Sequence, residues 1–500
     1  MKNLNWNLAV PFVAGAASAC GFEPLGLWPL TLIAIAALML EITYAPTRRA
    51  AFGRGMLFGA GHFLVGLNWI VTAFTYQAAM PAWVGVAAEA ILSLYMAMFI
   101  GFAAAVSWHR NAKRRRGVSL VLIFAAAWMF FEWLRSTLFT GFAWGPLAAT
   151  TIPGLAHATM WIGTYGVSGL VVLAGGVLWL AMSRHSVHAV ALLAVVVLLP
   201  LGAWLLPPST RPGAGIPVRI VQPNIHQDEK HDPSLADQHA RIYEQLSGKP
   251  TGAPRLLLWP EAATLRFLDI EPEARAGLAT LLGPKDLLIL GGEAIDLDPT
   301  GGDADVYYNS VFALDAQARL QWRYAKAHLV PFGEYLPLRP ILSRVGIARL
   351  VPGDGDFARG PGPRTFELPG FGTMGVQVCY EIIFSGHVID EAHRPAFLFN
   401  PSNDAWFGSW GPPQHFAQAR LRAIEEGLPV VRATPTGISG VISPGGKVLA
   451  TMPREQAGVI DTVIPPPREP TLFARLGLWT SAAWALVLAA AGLALRWAHR

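Results

Sequence analysis

The sequence predicts a multi-pass α-helical membrane bundle with a polar α/β domain inserted before its last helix. Hydrophobic residues make up 53% of the 500 positions and charged residues only 14%, and the mean hydropathy is +0.39. The charges are unevenly distributed, because residues 209–470 hold 53 of the 71. This composition excludes an ordinary soluble protein and divides the chain into an apolar part and a polar part.

About eight apolar runs are long enough to cross the ~30 Å hydrocarbon core of a bilayer. They cover approximately residues 5–22, 25–44, 54–75, 82–108, 118–139, 159–182, 187–206 and 475–496. Seven transmembrane helices are therefore predicted within residues 1–206 and an eighth within residues 475–500. Closely spaced glycines, such as Gly55, Gly59 and Gly61, suit helices that pack closely in lipid.

The positions of the basic residues predict how the bundle is oriented. If the spans alternate, one side receives 12 of the 14 bases that lie outside the polar domain, and an excess of Lys and Arg marks the cytoplasmic side. These bases are Lys2, Arg48, Arg49, Arg54, Arg110, Lys113, Arg114, Arg115, Arg116, Arg184, Arg496 and Arg500. Residues 209–470 are therefore expected on the extracytoplasmic face, held at the membrane by the spans on either side.

Charge and cysteine content exclude several classes of protein. The polar domain carries 24 basic and 29 acidic residues, so the pI near 9.3 comes from the membrane flanks, and nucleic acid is not an expected partner. Cys20 and Cys379 lie in different parts of the chain, which excludes a disulfide framework and a metal cluster built on Cys. Cys20 follows Ala-Ser-Ala, as at a signal-peptide cleavage site, but a second span follows at once and Cys20 is expected to be an ordinary helix residue.

The polar domain reads as a layered α/β domain. Breaker-rich segments bound it at Pro207–Gly213 and Pro465–Pro467, and short β-branched or apolar runs alternate with helical patterns between them. Strands are predicted at residues 218–221, 256–259, 287–290, 306–314, 375–378, 397–399 and 430–431, and helices near 234–247, 271–282 and 413–426.

Two charged residues stand where such a domain presents reactive side chains. Glu261 follows a predicted strand and a proline, which delivers a carboxylate at a strand terminus; taken alone, it is more often a solvated strand-end residue. Lys326 lies in a loop-like stretch rigidified by Pro and Gly. Taken alone it reads as a surface lysine, but its apolar flank favours burial beside a carboxylate, for which Glu334 is a candidate.

Cys379 follows a predicted buried strand and begins a turn toward a helix. A thiol there would lie near helix N-terminal N–H groups, which lower a thiol pKa and stabilise an oxyanion. An inert buried cysteine is the alternative. Histidine is the usual base for a Cys nucleophile, but none of His328, His387, His393 and His415 has a neighbouring carboxylate at a telling spacing.

Together these segments resemble the Glu-Lys-Cys triad of the nitrilase superfamily, and the wider match is to the apolipoprotein N-acyltransferase family. The matching motifs are Trp259-Pro260-Glu261, Lys326-Ala327-His328-Leu329-Val330-Pro331-Phe332-Gly333-Glu334, Cys379-Tyr380-Glu381 and Ser402-Asn403-Asp404-Ala405-Trp406-Phe407-Gly408. The family implies a nitrilase-like α-β-β-α sandwich between the seventh and eighth of eight transmembrane helices. The resemblance covers essentially the whole chain.

Roles carry over from this resemblance at the matched positions. Glu261 resembles the general base, Lys326 the electrostatic stabiliser and Cys379 the nucleophile. Supporting residues by the same resemblance are Glu334, Tyr380, Glu381, Trp406 and a pocket amide, Asn309. One position departs from the family pattern, since His231 follows Lys230 where the family has a tryptophan, and this puts the substrate-handling role of that tryptophan in doubt here.

The implied activity is transfer of a fatty acyl chain from a phospholipid, through a thioester on Cys379, to the α-amine of the N-terminal diacylglyceryl-cysteine of bacterial apolipoproteins. The implied location is the bacterial inner membrane with the catalytic domain on the periplasmic side, and no cofactor or metal is expected. A membrane-anchored nitrilase-type amidohydrolase is the alternative, although one span would suffice as its anchor. A transporter is a third reading, but only Glu89, Glu132 and a few helix-end charges lie in the spans.

The segment Pro337–Gly362 combines apolar residues, among them Leu342 and Ile347, with arginines, glycines and prolines. This mixture predicts a mobile arm that rests at the headgroup interface of a membrane. An ordinary packed helix and loop over the core is an equally good reading of the same residues.

Overall fold

The structure is a computed structural model. It describes residues 4–76, 81, 83–111, 117–183, 186–230, 232–297, 305–342, 344 and 355–498. His231 and most of the middle of the predicted arm, including Ile347, lie outside the described residues. The chain forms an apolar helical part and a domain built on two β-sheets.

The helices that the structure describes follow in chain order. They are α1 Leu4–Ala19, α2 Trp28–Tyr44, α3 Arg48–Gly66, α4 Ile70–Thr75, α5 Trp83–Ser107, α6 Val118–Thr137, α7 Thr159–Met182, α8 Ser186–Leu205, α9 Ala236–Ser247, α10 Pro272–Ala279, α11 Arg339–Leu342, α12 Gly411–Glu426, α13 Leu472–Leu476 and α14 Trp479–Ala498.

Within the described residues, five helices are long and apolar enough to cross a membrane, which is consistent with a membrane domain. They cover Trp83–Ser107, Val118–Thr137, Leu155–Met182, Val187–Leu205 and Trp479–Ala498. Two of the predicted spans correspond to shorter apolar helices, Leu8–Ala19 and Trp28–Tyr44.

The predicted bounds of the third span, residues 54–75, are wrong. Helix α3 begins at Arg48 because the Thr47 hydroxyl accepts a hydrogen bond from the Ala50 N–H and caps the helix. It ends at Gly66, and residues 67–69 form a turn before the separate short helix α4. Hydropathy alone does not register either the cap or the turn.

Glycines allow the first helices to approach closely, as their spacing predicts. A Cβ on Gly59 would lie 2.6 Å from the Cα of Ala97 in α5, and one on Gly61 would lie 2.0 Å from the carbonyl oxygen of Phe12 in α1. Any larger side chain would therefore push α3 away from both neighbours.

The strands form two six-stranded sheets in the described part of the chain. They are β1 Ile216–Gln222, β2 Leu256–Leu258, β3 Leu287–Asp296, β4 Val306–Asp315, β5 Leu320–Ala325, β6 Thr365–Leu368, β7 Gly372–Val376, β8 Phe397–Pro401, β9 Val430–Ala433, β10 Ser439–Ile442, β11 Val448–Met452 and β12 Gly458–Ile464. The orders are β12-β1-β2-β3-β4-β5 and β11-β10-β9-β8-β7-β6, with β1-β2-β3 and β7-β8-β9 parallel. Each predicted strand is present, and β5, β6, β10, β11 and β12 are additional.

The alternation of side chains explains how these layers pack. In β2, Leu256 and Leu258 join a core shared with residues of the second sheet, while Leu257 joins a separate core with Tyr243 of α9. Ile424 of α12 belongs to the shared core. The domain is therefore an α-β-β-α sandwich, with α9 and α10 outside one sheet and α12 beside the other.

Candidate active site

The three residues of the predicted triad follow three different strands. Glu261 comes three residues after β2, Lys326 directly after β5, and Cys379 three residues after β7. The Lys326 N–H donates a 2.8 Å hydrogen bond to the carbonyl oxygen of Asn309, so the β4–β5 pairing places these two residues side by side. The sequence around Lys326 predicts a loop, whereas the structure has strand β5 directly before Lys326.

Glu261, Lys326 and Glu334 form one buried charged group. Lys326 Nζ lies 2.9 Å from Glu334 Oε1 and 3.5 Å from Glu261 Oε1. Asn309 Nδ2 donates to the same two oxygens, at 2.8 Å to Glu261 and 2.7 Å to Glu334. Glu334 Oε2 also accepts the Val330 N–H at 2.7 Å. The amide and the ammonium together hold two carboxylates close to one another.

The charge of Lys326 is maintained by its neighbours. Burial works against the ammonium, but the negative charges of Glu334 and Glu261 outweigh it and raise the pKa of Lys326 above its ordinary value. Lys326 is 1% exposed, so this cation is shielded from water. A fixed positive charge in such a place stabilises negative charge that develops beside it.

Cys379 adopts a left-handed backbone conformation, with φ at +49°, which residues other than glycine rarely adopt. Burial raises the pKa of its thiol, the charge of Glu261 raises it further, and Lys326 only partly opposes them. The expectation of a lowered thiol pKa is therefore wrong, because burial and the nearby Glu261 carboxylate outweigh the Lys326 charge. The thiol is neutral at rest, and its reaction requires a base.

The carboxylate of Glu381 connects the segment of Cys379 with that of Lys326. It accepts hydrogen bonds from the N–H groups of Val378, Ala327 and His328, at 2.7, 2.7 and 3.0 Å. The Tyr324 hydroxyl donates to it as well, at 2.9 Å. Burial raises the pKa of Glu381, and the main-chain donors and the Lys326 charge act in the opposite direction. With four donors, the Glu381 carboxylate holds the segment before Cys379 against the segment after Lys326.

Tyr380 connects the domain to the apolar helices. Its hydroxyl donates a 3.1 Å hydrogen bond to the carbonyl oxygen of Gly141, in the loop after α6. Arg135 of α6 holds this loop by donating to the carbonyl oxygens of Phe142, Trp144 and Gly145. The buried Glu132 pairs with Arg135 at 3.7 Å. In the described structure, Glu132 therefore takes part in anchoring a loop.

Trp406 lies outside the charged group, where the domain meets the segment after α4. Its ring packs edge-on against Tyr76, with centroids 5.3 Å apart. The Tyr76 hydroxyl donates to the carbonyl oxygen of Ala405 at 3.3 Å. Eight residues were predicted for the site. Direct contacts join four of them, Glu261, Lys326, Glu334 and Asn309. The charges of Glu261 and Lys326 shift the pKa of Cys379, and Trp406 lies at the periphery.

Sequence reasoning missed two contacts of this site. Lys230 is buried, and its Nζ donates a 2.9 Å hydrogen bond to the carbonyl oxygen of Glu261. Burial lowers the pKa of Lys230 to about 8, and the negative charge of Glu261 only partly opposes this effect. His415 contacts the carbonyl oxygen of Cys379. No spacing pattern links these pairs, because they meet only through the fold.

The arrangement has the chemistry of acyl transfer through a thioester. In such an arrangement a carboxylate can accept a thiol proton, a buried ammonium can stabilise an oxyanion, and a cysteine can serve as the nucleophile. Among the described residues, no group of three or more His, Cys, Asp or Glu side chains is arranged to hold a metal ion.

Comparison with known proteins defines the class first. Residues 218–468 match the family model described as carbon-nitrogen hydrolase, and residues 14–177 match that of the apolipoprotein N-acyltransferase N-terminal domain. The two-sheet domain is therefore a nitrilase-like carbon-nitrogen hydrolase domain, carried on an apolar helical part.

Full-length relatives give the particular family. The apolipoprotein N-acyltransferase of Rhodopseudomonas palustris is 36% identical over 94% of this chain and 92% of its own length. That of Bradyrhizobium diazoefficiens is also 36% identical, over the same shares of both chains. Among solved structures, Saccharomyces cerevisiae Nit3, a member of branch 10 of the nitrilase superfamily, aligns with a TM-score of 0.36 and 21% identity over 52% of this chain and 93% of its own. The chain belongs to the apolipoprotein N-acyltransferase family.

Proposed function

We propose that this protein transfers a fatty acyl chain from a phospholipid to the α-amine of the N-terminal diacylglyceryl-cysteine of an apolipoprotein. The observation that carries the proposal is the contact of Tyr380 with Gly141. It ties the residue next to Cys379 to the loop after α6 and so holds the nucleophile beside the apolar helices, where lipid substrates would lie. The membership of the chain in the apolipoprotein N-acyltransferase family supports the same substrates.

In the first half-reaction, Glu261 accepts the thiol proton and the Cys379 sulfur attacks the ester carbonyl of the phospholipid. The high pKa of the Cys379 thiol makes this transfer necessary. Lys326 and the Tyr380 main-chain N–H stabilise the tetrahedral oxyanion. The carbon–oxygen bond then breaks, Glu261 returns its proton to the leaving glycerol oxygen, and the acyl group remains as a thioester on Cys379.

In the second half-reaction, the neutral α-amine of the diacylglyceryl-cysteine attacks that thioester. Glu261 accepts a proton from the attacking amine, the carbon–sulfur bond breaks, and the proton passes to the departing Cys379 sulfur. The products are the N-acylated lipoprotein and the free thiol. An amine attacks a thioester far faster than water does, so the enzyme transfers its acyl group provided that the amine is available.

The supporting residues act by holding these groups in place. Asn309 and Glu334 fix the Glu261 carboxylate and the Lys326 ammonium through the contacts described above. Glu381 holds the main chain on both sides of the site. Trp406 stands at the boundary with the apolar helices, where a lipid substrate has to enter.

We further propose that eight helices cross the bacterial inner membrane and that the catalytic domain lies on the periplasmic side. The proposed divisions are residues 1–206 for the first seven transmembrane helices, 209–470 for the catalytic domain and 475–500 for the eighth. The distribution of basic residues supports this orientation. It brings the site to the face from which lipoproteins emerge.

The proposal is tested with purified protein and phospholipid alone, by intact mass. We expect one acyl adduct that persists until an acceptor is added. Cys379→Ala should abolish both the adduct and transfer, whereas Cys20→Ala should leave both intact. Glu261→Gln should prevent formation of the adduct because the thiol then keeps its proton.

The same experiment separates transfer from hydrolysis. A membrane-anchored nitrilase-type amidohydrolase would admit water to the acyl-enzyme. If the wild-type protein releases free fatty acid at many turnovers per minute and carries no adduct on Cys379, the transferase proposal is wrong. A persistent adduct that is discharged only by a diacylglyceryl-cysteine peptide supports it.

A further inference from the structure

The carbonyl oxygen of Cys379 is held from the side of α12. His415 Nε2 lies 3.1 Å from this oxygen, and Asn400 Nδ2 lies 3.3 Å from it. A carbonyl oxygen only accepts hydrogen bonds, so Nε2 of His415 carries a proton in this contact. His415 is completely buried.

The ring of His415 is itself fixed by buried neighbours. Burial lowers the pKa of His415, which favours a neutral ring with its proton on Nε2. Nδ1 is then an acceptor, and Arg432 Nη2 lies 3.1 Å from it. Arg432 also pairs with Asp404, whose Oδ1 lies 3.0 Å from the same Nδ1. Burial opposes the charge of Asp404, but the Arg432 guanidinium outweighs it, and the pKa of Asp404 lies well below its usual range. The ring also packs against Trp144 and Phe407. These contacts together fix the orientation of the His415 ring.

The geometry of a peptide group carries this constraint into the active site. The bond joining Cys379 and Tyr380 is trans and close to planar, so its carbonyl oxygen and its N–H point in opposite directions. When His415 holds the carbonyl oxygen, the Tyr380 N–H is turned away from α12. Cys379 has a left-handed conformation that a non-glycine residue does not favour, and the contacts of its carbonyl oxygen with His415 and Asn400 help to maintain it.

We propose that His415 is a positioning residue that aims the Tyr380 N–H at the oxyanion of acyl transfer. This inference rests on the proposed function, in which that N–H is an oxyanion donor. His415 acts through the peptide group, since its described hydrogen bond to Cys379 is to the main-chain carbonyl oxygen. Its loss should slow steps that form an oxyanion and leave other reactions of the same thiol nearly unchanged. A merely structural histidine would affect both kinds of reaction equally.

The test compares two substitutions in a Cys20→Ala background. In His415→Asn the amide replaces Nδ1, so the side chain still meets Asp404 but does not reach the Cys379 carbonyl. In His415→Gln the amide reaches the position of Nε2 and restores the donor. The matched control is Gln418→Asn, which shortens another buried polar side chain on the same helix. Two rates are measured for each variant: acylation by phospholipid, and alkylation of Cys379 by iodoacetamide, which forms no oxyanion.

We expect His415→Asn to lower the acylation rate by about 10- to 100-fold, in line with the loss of one oxyanion donor, and alkylation by less than about 3-fold. His415→Gln should recover most of the acylation rate, and Gln418→Asn should match the parent in both reactions. Equal losses of acylation and alkylation in His415→Asn, or wild-type acylation in that variant, would overturn the positioning role.

Two further outcomes are separated by design. If the parent protein forms no adduct with phospholipid, the proposed function fails, whereas a parent adduct with unaffected variants leaves the function and removes only the role of His415. If His415→Asn does not fold, His415→Met takes its place, because it fills the volume of the ring and offers no donor. The same difference between the two rates is expected, and its absence contradicts the proposal.

Discussion

The Tyr380 hydroxyl donates a 3.1 Å hydrogen bond to the carbonyl oxygen of Gly141. The two residues are 239 positions apart in the chain, and they join the residue after Cys379 to the loop that Arg135 holds. Gly141 has φ at +70°, and a Cβ there would lie 2.4 Å from the carbonyl oxygen of Ser136. The loop therefore approaches Tyr380 only because position 141 lacks a side chain.

Removing the Tyr380–Gly141 hydrogen bond should weaken the contact between the catalytic domain and the loop after α6 but preserve the ring packing there. Tyr380→Phe keeps the ring that packs against Phe142 and Phe384 and leaves the Gly141 carbonyl without that donor, at a cost of about 1 kcal/mol. We expect acylation from phospholipid in bilayers to fall by roughly 5-fold. Tyr243→Phe, at a buried tyrosine of α9 remote from the loop, serves as the control and should retain the parent rate. An unchanged rate in Tyr380→Phe would show that the contact is dispensable.

Replacing the buried Lys326 should slow acylation, because the oxyanion then loses its stabilising positive charge. Lys326→Met removes the ammonium from between Glu334 and Glu261, and we expect acylation to slow by about 10² to 10³. The rate of adduct formation by intact mass measures this directly. Lys249→Met, at an exposed position, is the control and should have no effect. A loss below about 5-fold for Lys326→Met would contradict the role assigned to Lys326.

The pH dependence of stability should contain a contribution from His328. Burial lowers its pKa to about 4, opposed by a hydrogen bond to the Thr140 carbonyl oxygen. Between pH 6.5 and 4 the unfolded chain binds a proton at this residue and the folded chain does not. The free energy of unfolding therefore falls as pH falls across this window, by at most about 1.4 kcal/mol per pH unit for one group.

The difference between variants isolates this contribution. His328→Gln keeps a donor for Thr140 and cannot titrate, so its melting temperature in detergent should fall less steeply than that of the parent from pH 6.5 to 4.5. His393→Gln, at a side chain that is 80% exposed, is the comparison and should follow the parent. Parallel curves for His328→Gln and the parent would mean that His328 makes no such contribution.

The proposed orientation is open to a simple topological test. A reporter that is active only in the cytoplasm, fused at about Gly248 in the catalytic domain, should be inactive. A reporter that is active only outside the cytoplasm, fused at the same position, should be active. Strong cytoplasmic activity at Gly248 would overturn the orientation that we infer from the basic residues.

Local sequence and the family resemblance were sufficient to select the candidate site residues, and the structure places two of them, Lys326 and Glu261, side by side. Their catalytic roles stay a prediction. Glu261, Lys326 and Cys379 each lie in a short motif, and the alternation of apolar runs predicted an α/β domain. Composition and hydropathy likewise indicated the apolar helical part, because a span depends on a continuous run of residues. The limits of α3 were missed, since they depend on the Thr47 cap and on the turn after Gly66.

The electrostatic state of the site and the contacts behind it were decided by the tertiary structure. Asn309 reaches Glu261 because the β3–β4 register pairs it with Glu293 in a neighbouring strand. The raised pKa of Cys379 depends on burial and on a carboxylate more than a hundred residues away. Distances between side chains that are remote in the chain follow from strand pairing and packing, and no local pattern encodes them.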